Sequence, residues 1–253
     1  TENPVAYPEN ADIEQWIARE EPEPVLEPDL PIIDPHHHLW DQRRAPRRPE
    51  SFRQEVYLCE EISGDINSAG HNVVQTVFAQ CGAFYRADGP EEMRCVGETD
   101  FVHGVAAMSR SGLYGDTRLC TGIFSTVDLR PGAAAEPVVE AHLAASPYFR
   151  GIRSGFPSDL NDQFLAGFAL LSKHNLSYDN WSPDYSRLPK LAELANKFPD
   201  VTFIVNHLGG RIDPKASDDE IAEWRRCIDA VAACPNAVMK TGGAQMRIGP
   251  WEP

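Results

Sequence analysis

Pro31-Ile32-Ile33-Asp34-Pro35-His36-His37-His38-Leu39-Trp40-Asp41 is the stretch on which the reading of this chain turns. Two β-branched residues open it and three histidines follow. In a strand, alternate side chains share a face, so His36 and His38 point together and His37 points away. Two imidazoles at the C-terminal end of a strand can chelate one metal ion from the mouth of a barrel. The competing reading is three exposed loop histidines. A Rossmann sheet needs a glycine-rich turn after its first strand. The strand here runs into His-His-His, which disfavours a dinucleotide site.

Outward from residue 32 a rhythm sets in. Short β-branched or apolar runs recur at Ile32–Asp34, Val73–Phe78, Leu119–Val127, Phe149–Arg153, Leu176–Trp181, Val201–Val205 and Ala237–Lys240. These read as strands. Between them lie helical patterns. Ser217 and Glu220 form a capping box ahead of Ile221, Trp224, Ile228 and Val231 on one face, with Pro235 as the stop. Leu188, Leu191, Leu194 and Phe198 repeat the pattern before the sixth strand, and Glu98–Ser111 and Pro137–Ala145 are weaker helices. Strand–helix alternation implies a parallel sheet. The fold expected is α/β, a TIM (β/α)8-type barrel over residues 32–253. Seven strands leave it about one βα unit short of eight.

A second motif is Val201-Thr202-Phe203-Ile204-Val205-Asn206-His207-Leu208-Gly209-Gly210. It places Asn206 and His207 at the same mouth, and the paired glycines allow the backbone to approach a ligand closely. Arg153, after Gly151, has the planar fork that suits a substrate carboxylate, with a structural ion pair as the alternative. Lys240 and Asp128 end strands and are expected to support the network. His71, His103 and His142 fall in a turn and on helices, as surface or structural groups. His174 lies at the wrong end of its strand, at a helix C-terminus that suits its charge. Glu60 with Glu61, and Asp218 with Asp219, read as solvated helix faces.

The chain has 253 residues and a net charge of −15. Residues 1–30 hold nine acids and one base, and residues 1–31 hold six of the 21 prolines. That segment reads as an extended acidic arm with a short apolar face at Ile13, Trp16 and Ile17, able to dock on its own barrel or on a neighbouring subunit of a homo-oligomer. The acidic field argues against nucleic acid. Arg43, Arg44, Arg47 and Arg48 read as a solvated loop. No run approaches a membrane span and no signal peptide opens the chain. Six cysteines without CxxC spacing read as free thiols in a reducing cytoplasm.

Taken together, Ile33-Asp34-Pro35-His36-His37-His38-Leu39-Trp40-Asp41, Phe149-Arg150-Gly151-Ile152-Arg153, Val205-Asn206-His207-Leu208-Gly209 and Met239-Lys240-Thr241-Gly242-Gly243 resemble the amidohydrolase-related, metal-dependent hydrolases of TIM-barrel fold, in particular their lactonase-like branch. The resemblance implies that His36, His38 and His207 hold a divalent ion, Zn²⁺ first and Mn²⁺ second, or polarise the substrate directly, as in lactonases of this kind that work without metal. It implies an eighth-strand aspartate acting as base, for which this chain has no residue. The wider superfamily often ends its fifth strand with histidine, where this chain has Asp179 near the mouth. The expected activity is hydrolysis of a small carboxylate-bearing lactone or related ester. His36, His38, His207 and Asp179 would be the catalytic set, and Arg153, Trp40, Asn206 and Lys240 would bind substrate. Two alternatives stand beside it: a metal-dependent decarboxylase, although the Glu-x-Ala-type element of such enzymes is missing between Pro31 and Asp41, and a catalytically inactive binding barrel.

Overall fold

The seven expected strands all form, and they pair in the order of the chain. In the computed structural model, which describes residues 15, 18–19, 21, 23–43, 56–213 and 215–243, the barrel strands are β1 (Ile32–His37), β4 (Val73–Ala79), β5 (Arg118–Ser125), β6 (Phe149–Ser154), β7 (Ser177–Asn180), β8 (Phe203–Val205) and β9 (Ala237–Met239). They make one parallel sheet in the order β1-β4-β5-β6-β7-β8-β9. The sheet is curled into an open barrel. Among the described residues β9 and β1 do not pair, and Ile33 and Val238 on these two strands are exposed. A pair of two-residue strands, β2 (Trp40–Asp41) and β3 (Val56–Tyr57), forms a small antiparallel ribbon beside the first barrel strand. It is too short to carry a sequence period.

Among the described residues, six helices cover the sheet: α1 (Cys59–Ser68), α2 (Val96–Ser109), α3 (Glu136–Ala145), α4 (Asp162–Lys173), α5 (Leu188–Lys197) and α6 (Asp218–Ala232). The capping box of α6 is present, with Ser217 Oγ accepting from Glu220 N and the Glu220 carboxylate accepting from Ser217 N. Two helices that the sequence implied only through Glu60 with Glu61 and through His174 gain their extents here. In α4, Asn161 caps Phe164 N at 2.9 Å and the residues Phe164, Phe168 and Leu171 are buried on one face. In α1, Gly64, Asp65 and Asn67 weaken the intrinsic preference, and burial of Cys59 and Ile62 sustains the helix.

The period of two along each strand separates core from site. Tyr178 is fully buried against the helix layer, with its ring 5.0 Å from that of Phe168 and 5.7 Å from that of Phe203. Its neighbour Asp179 therefore faces the opposite side, the barrel interior. Ile152 and Arg153 divide the same way on β6, and Arg153 is in register with Asp179 across the pair. Gly151 is required by crowding. A Cβ there would stand 2.4 Å from both Phe124 Cε1 and Ser177 O.

Most of the acidic arm, with Ile13, Trp16 and Ile17, and the basic residues Arg44, Arg47 and Arg48 lie outside the described residues. Among the described residues no helix is long and apolar enough to cross a membrane.

Candidate active site

The ends of β1, β4, β6, β7, β8 and β9 converge on one cluster. Pro35 interrupts the β1 ladder, since it has no N–H to give, and the register with β4 shifts between Asp34 and His37. The alternation of the histidines survives. His37 turns outward, with Nε2 2.9 Å from Thr76 Oγ1 and its ring 5.9 Å from that of Phe78. His36 and His38 face inward, with their Nε2 atoms 3.2 Å apart. The His207 ring lies 4.8 Å from that of His36. The three sequence-predicted imidazoles are thus together at one mouth.

Each ring is held by its other nitrogen. His38 Nδ1 donates to Ala79 O at 2.7 Å, and His207 Nδ1 donates to Gly242 O at 2.8 Å. Lys240 Nζ donates to His36 Nδ1 at 3.1 Å. The network then assigns the tautomers: His36 carries its proton on Nε2 and donates to His38 Nε2. Burial, the Lys240 charge and the neighbouring His38 push the His36 pKa down to about 2. Burial is also the main cause that brings His38 down to about 4, against the pull of Ala79 O. Both rings are neutral at pH 7.

Asp179 is the counter-ion of the site. Its Oδ2 accepts from Lys240 Nζ at 2.8 Å, and Oδ1 lies 3.5 Å from Arg153 Nε and accepts from Asn206 Nδ2. Asp179 is fully buried, and the Lys240 and Arg153 side chains are 11% and 6% exposed. Two cations thus share the one buried carboxylate of Asp179. Arg153 also donates from Nη1 to Gln80 O at 3.0 Å and lies 5.1 Å over the Trp181 ring. Asn206 spends its amide on Asp179 and on Asn180 O. Its amide therefore braces Asp179. Trp40 sits in β2, stacked on Tyr57 at 5.5 Å.

The glycines after His207 serve a different purpose from the one expected. A Cβ at Gly209 would meet Leu188 at 2.5 Å, and one at Gly210 would meet Tyr185 N at 2.6 Å. They let the turn close on the start of α5 and the segment before it. His207 and Leu208 themselves hold positive φ of 48° and 57°, a local strain of the kind found at functional sites.

Two nitrogens bound to one tetrahedral zinc at about 2.0–2.1 Å stand roughly 3.3 Å apart. The 3.2 Å between His36 and His38 matches that edge, and both rings are neutral, as ligands must be. The pair fits. Among the described residues no three His, Cys, Asp or Glu side chains already close on a single point. To serve as a ligand through Nε2, His36 must move its proton to Nδ1, facing the Lys240 ammonium.

Of the remaining histidines, His142 is fully buried between Thr99 Oγ1, at 2.8 Å, and Cys95 Sγ, so it is structural. His174 caps the C-terminus of α4 and pairs with Glu136 at 2.7 Å. Asp128 is tied to Arg130 on the surface. Trp181, 41% exposed, joins the site without a motif to mark it, and its ring stands edge-on to His207 at 6.1 Å. Its position one residue after the end of a strand was the available signal.

The model of the amidohydrolase family matches residues 33–253, and the chain belongs to that family. Its members are TIM-barrel enzymes, generally metal-dependent, that act on small molecules. An uncharacterized protein of Sinorhizobium fredii is 28% identical, over 88% of this chain and 75% of the relative. A crystal structure of an amidohydrolase from Burkholderia multivorans with bound zinc aligns at a TM-score of 0.63 and 20% identity, over 85% of this chain and 71% of that one. Amidohydrolase 2 from Bifidobacterium longum subsp. infantis aligns at 0.54 and 20% identity, over 85% and 74%. The structural likenesses establish the shared fold.

Proposed function

We propose that this enzyme opens a small carboxylate-bearing lactone, or a related ester, at the cluster of His36, His38 and His207. The observation that carries the reading is the pairing of two neutral imidazoles with two buried cations, Lys240 and Arg153, that share the carboxylate of Asp179. Cations at the end of a barrel draw an anionic substrate.

His36 and His38 would hold the ion, with His207 as third ligand, and Zn²⁺ or Mn²⁺ suits such imidazoles better than Ca²⁺ or Mg²⁺. When bound, the ion would polarise the carbonyl and acidify a water. Bases as weak as His36 and His38 are poor proton acceptors near neutral pH, which favours binding and polarising roles for them. Arg153 has five donors and spends one on Gln80 O, with Nε turned to Asp179. Its remaining N–H groups would engage the substrate carboxylate. Asp179 and Asn206 hold the two cations in place. Trp181 would wall the site beside His207.

Proton release and CO₂ release, measured together on matched pairs of carboxylated and neutral lactones, test the reading. Acid formation on the carboxylated members supports it. CO₂ as the product would assign the decarboxylase reading, and no turnover on any member would favour a binding barrel.

A further inference from the structure

We propose that Glu98, on the first turn of α2 and outside the cluster, is a positioning residue that fixes the orientation of His38 and Arg153. This rests on the proposal that His38 and Arg153 act at the site.

Glu98 is fully buried. Its Oε1 accepts three backbone N–H groups in succession, from Cys81 at 3.1 Å, Gly82 at 2.9 Å and Ala83 at 2.9 Å. One oxygen therefore gathers the whole turn that leaves β4. The two carbonyls just before that turn are the ones that orient the site. Ala79 O takes the His38 Nδ1 proton and Gln80 O takes an Arg153 N–H. The turn also touches the segment that follows β1, where Cys81 Sγ lies 3.4 Å from Leu39 O.

The clamp is built from both sides. A Cβ at Gly97 would stand 2.6 Å from Phe84 O and 2.8 Å from Arg86 N, so glycine is needed for the loop to lie on the helix start. Phe84 stacks on Phe101 of α2 at 4.0 Å. The arrangement is held at a cost. Burial pushes the Glu98 pKa up to about 7 although the three amides pull it down, and Oε2 is buried without a hydrogen-bond partner. A leucine would fill the same space more cheaply if volume were all that mattered. What the carboxylate adds is a fixed acceptor for three amides that would otherwise be free to turn, and with them Ala79 O and Gln80 O.

The test reads the His38 tautomer in metal-free ¹⁵N-histidine protein by long-range ¹H–¹⁵N NMR, with the signal assigned through His38→Gln. Wild type should show His38 protonated on Nδ1 alone. Glu98→Gln retains an acceptor oxygen and should keep that single tautomer. Glu98→Asp retracts the acceptor, Glu98→Ala removes it, and each should give a mixture of the two tautomers. KM for an anionic lactone should rise about tenfold in the Asp and Ala variants and stay within about twofold in the Gln variant. A single Nδ1–H tautomer in a folded Glu98→Asp or Glu98→Ala protein overturns the proposal. So does a wild type protonated on Nε2, or equal loss of the tautomer in all three variants together with a general drop in melting temperature. The tautomer is read without turnover, so a failed lactone assay and a failed Glu98 assignment are separable outcomes.

Discussion

Replacing Lys240 by Met isolates the group that ties the histidines to the buried carboxylate. In the wild type, Lys240 Nζ lies 2.8 Å from Asp179 Oδ2 and 3.1 Å from His36 Nδ1. Removing one partner of a buried ion pair leaves the other uncompensated, at a cost of about 3–5 kcal/mol. Arg153 and Asn206 still face Asp179, which places the expected loss at the low end, about 3 kcal/mol. For a chain of this size that is a fall of about 6–12 °C in melting temperature. Two site effects accompany it. The His36 pKa rises, because the Lys240 charge is the second cause, after burial, that depresses it. Zinc binds more tightly, because the His36 Nδ1 proton no longer has to face an ammonium group. Thermal unfolding, histidine NMR titration and zinc binding by calorimetry measure the three. A variant as stable as wild type, with an unmoved His36 titration and unchanged zinc affinity, would refute the assignment of Lys240 as the link between His36 and Asp179.

Arg153→Lys keeps the charge and loses the fork; KM should rise about tenfold for an anionic lactone and change little for its neutral analogue, as steady-state kinetics on the pair would show. Gly151→Ala should lower the melting temperature through a cost of at least about 1–3 kcal/mol, because the new methyl meets Phe124 and the Ser177 carbonyl. Acid should destabilise the fold over a defined range. His37 and His142 are buried with pKa values of about 4 against 6.5 unfolded, so their contribution is complete above pH 6.5 and is lost as pH falls toward 4, up to about 3 kcal/mol each. Glu98 acts with the opposite sign, since its raised pKa makes it stabilising below about 4.5 and progressively less so up to about 7. Urea midpoints measured from pH 7 to pH 4 should fall, and His142→Gln should flatten the slope.

The strands were readable because each carries a run of β-branched or apolar residues bounded by breaks, and the observed seven match the expected seven within a few residues at each end. The facing of His36 and His38, with His37 turned away, followed from a period of two and survived the irregularity at Pro35. What sequence did not reveal depends on contacts between distant segments. Asp179 joins the catalytic set in sequence because it lies near the mouth, where the wider superfamily often has a histidine, yet its partners, Arg153, Asn206 and Lys240, come from three other strand ends. The glycines at 209 and 210 looked like room for a ligand, and the space is taken by Leu188 and the backbone at Tyr185. Glu98 read as an ordinary residue in a weak helix, since nothing local announces that three amides from the preceding loop will converge on it.

Hydrolysis at the paired imidazoles is read out by turnover of a carboxylate-bearing lactone in ¹⁸O-water, comparing wild type with His38→Ala by mass spectrometry. Water attack should leave one ¹⁸O in the newly formed carboxylate of the ring-opened product, and His38→Ala should be at least ~100-fold slower, about 2.7 kcal/mol of lost transition-state stabilisation. A product without the label, or a His38→Ala enzyme that works at the wild-type rate, would contradict it.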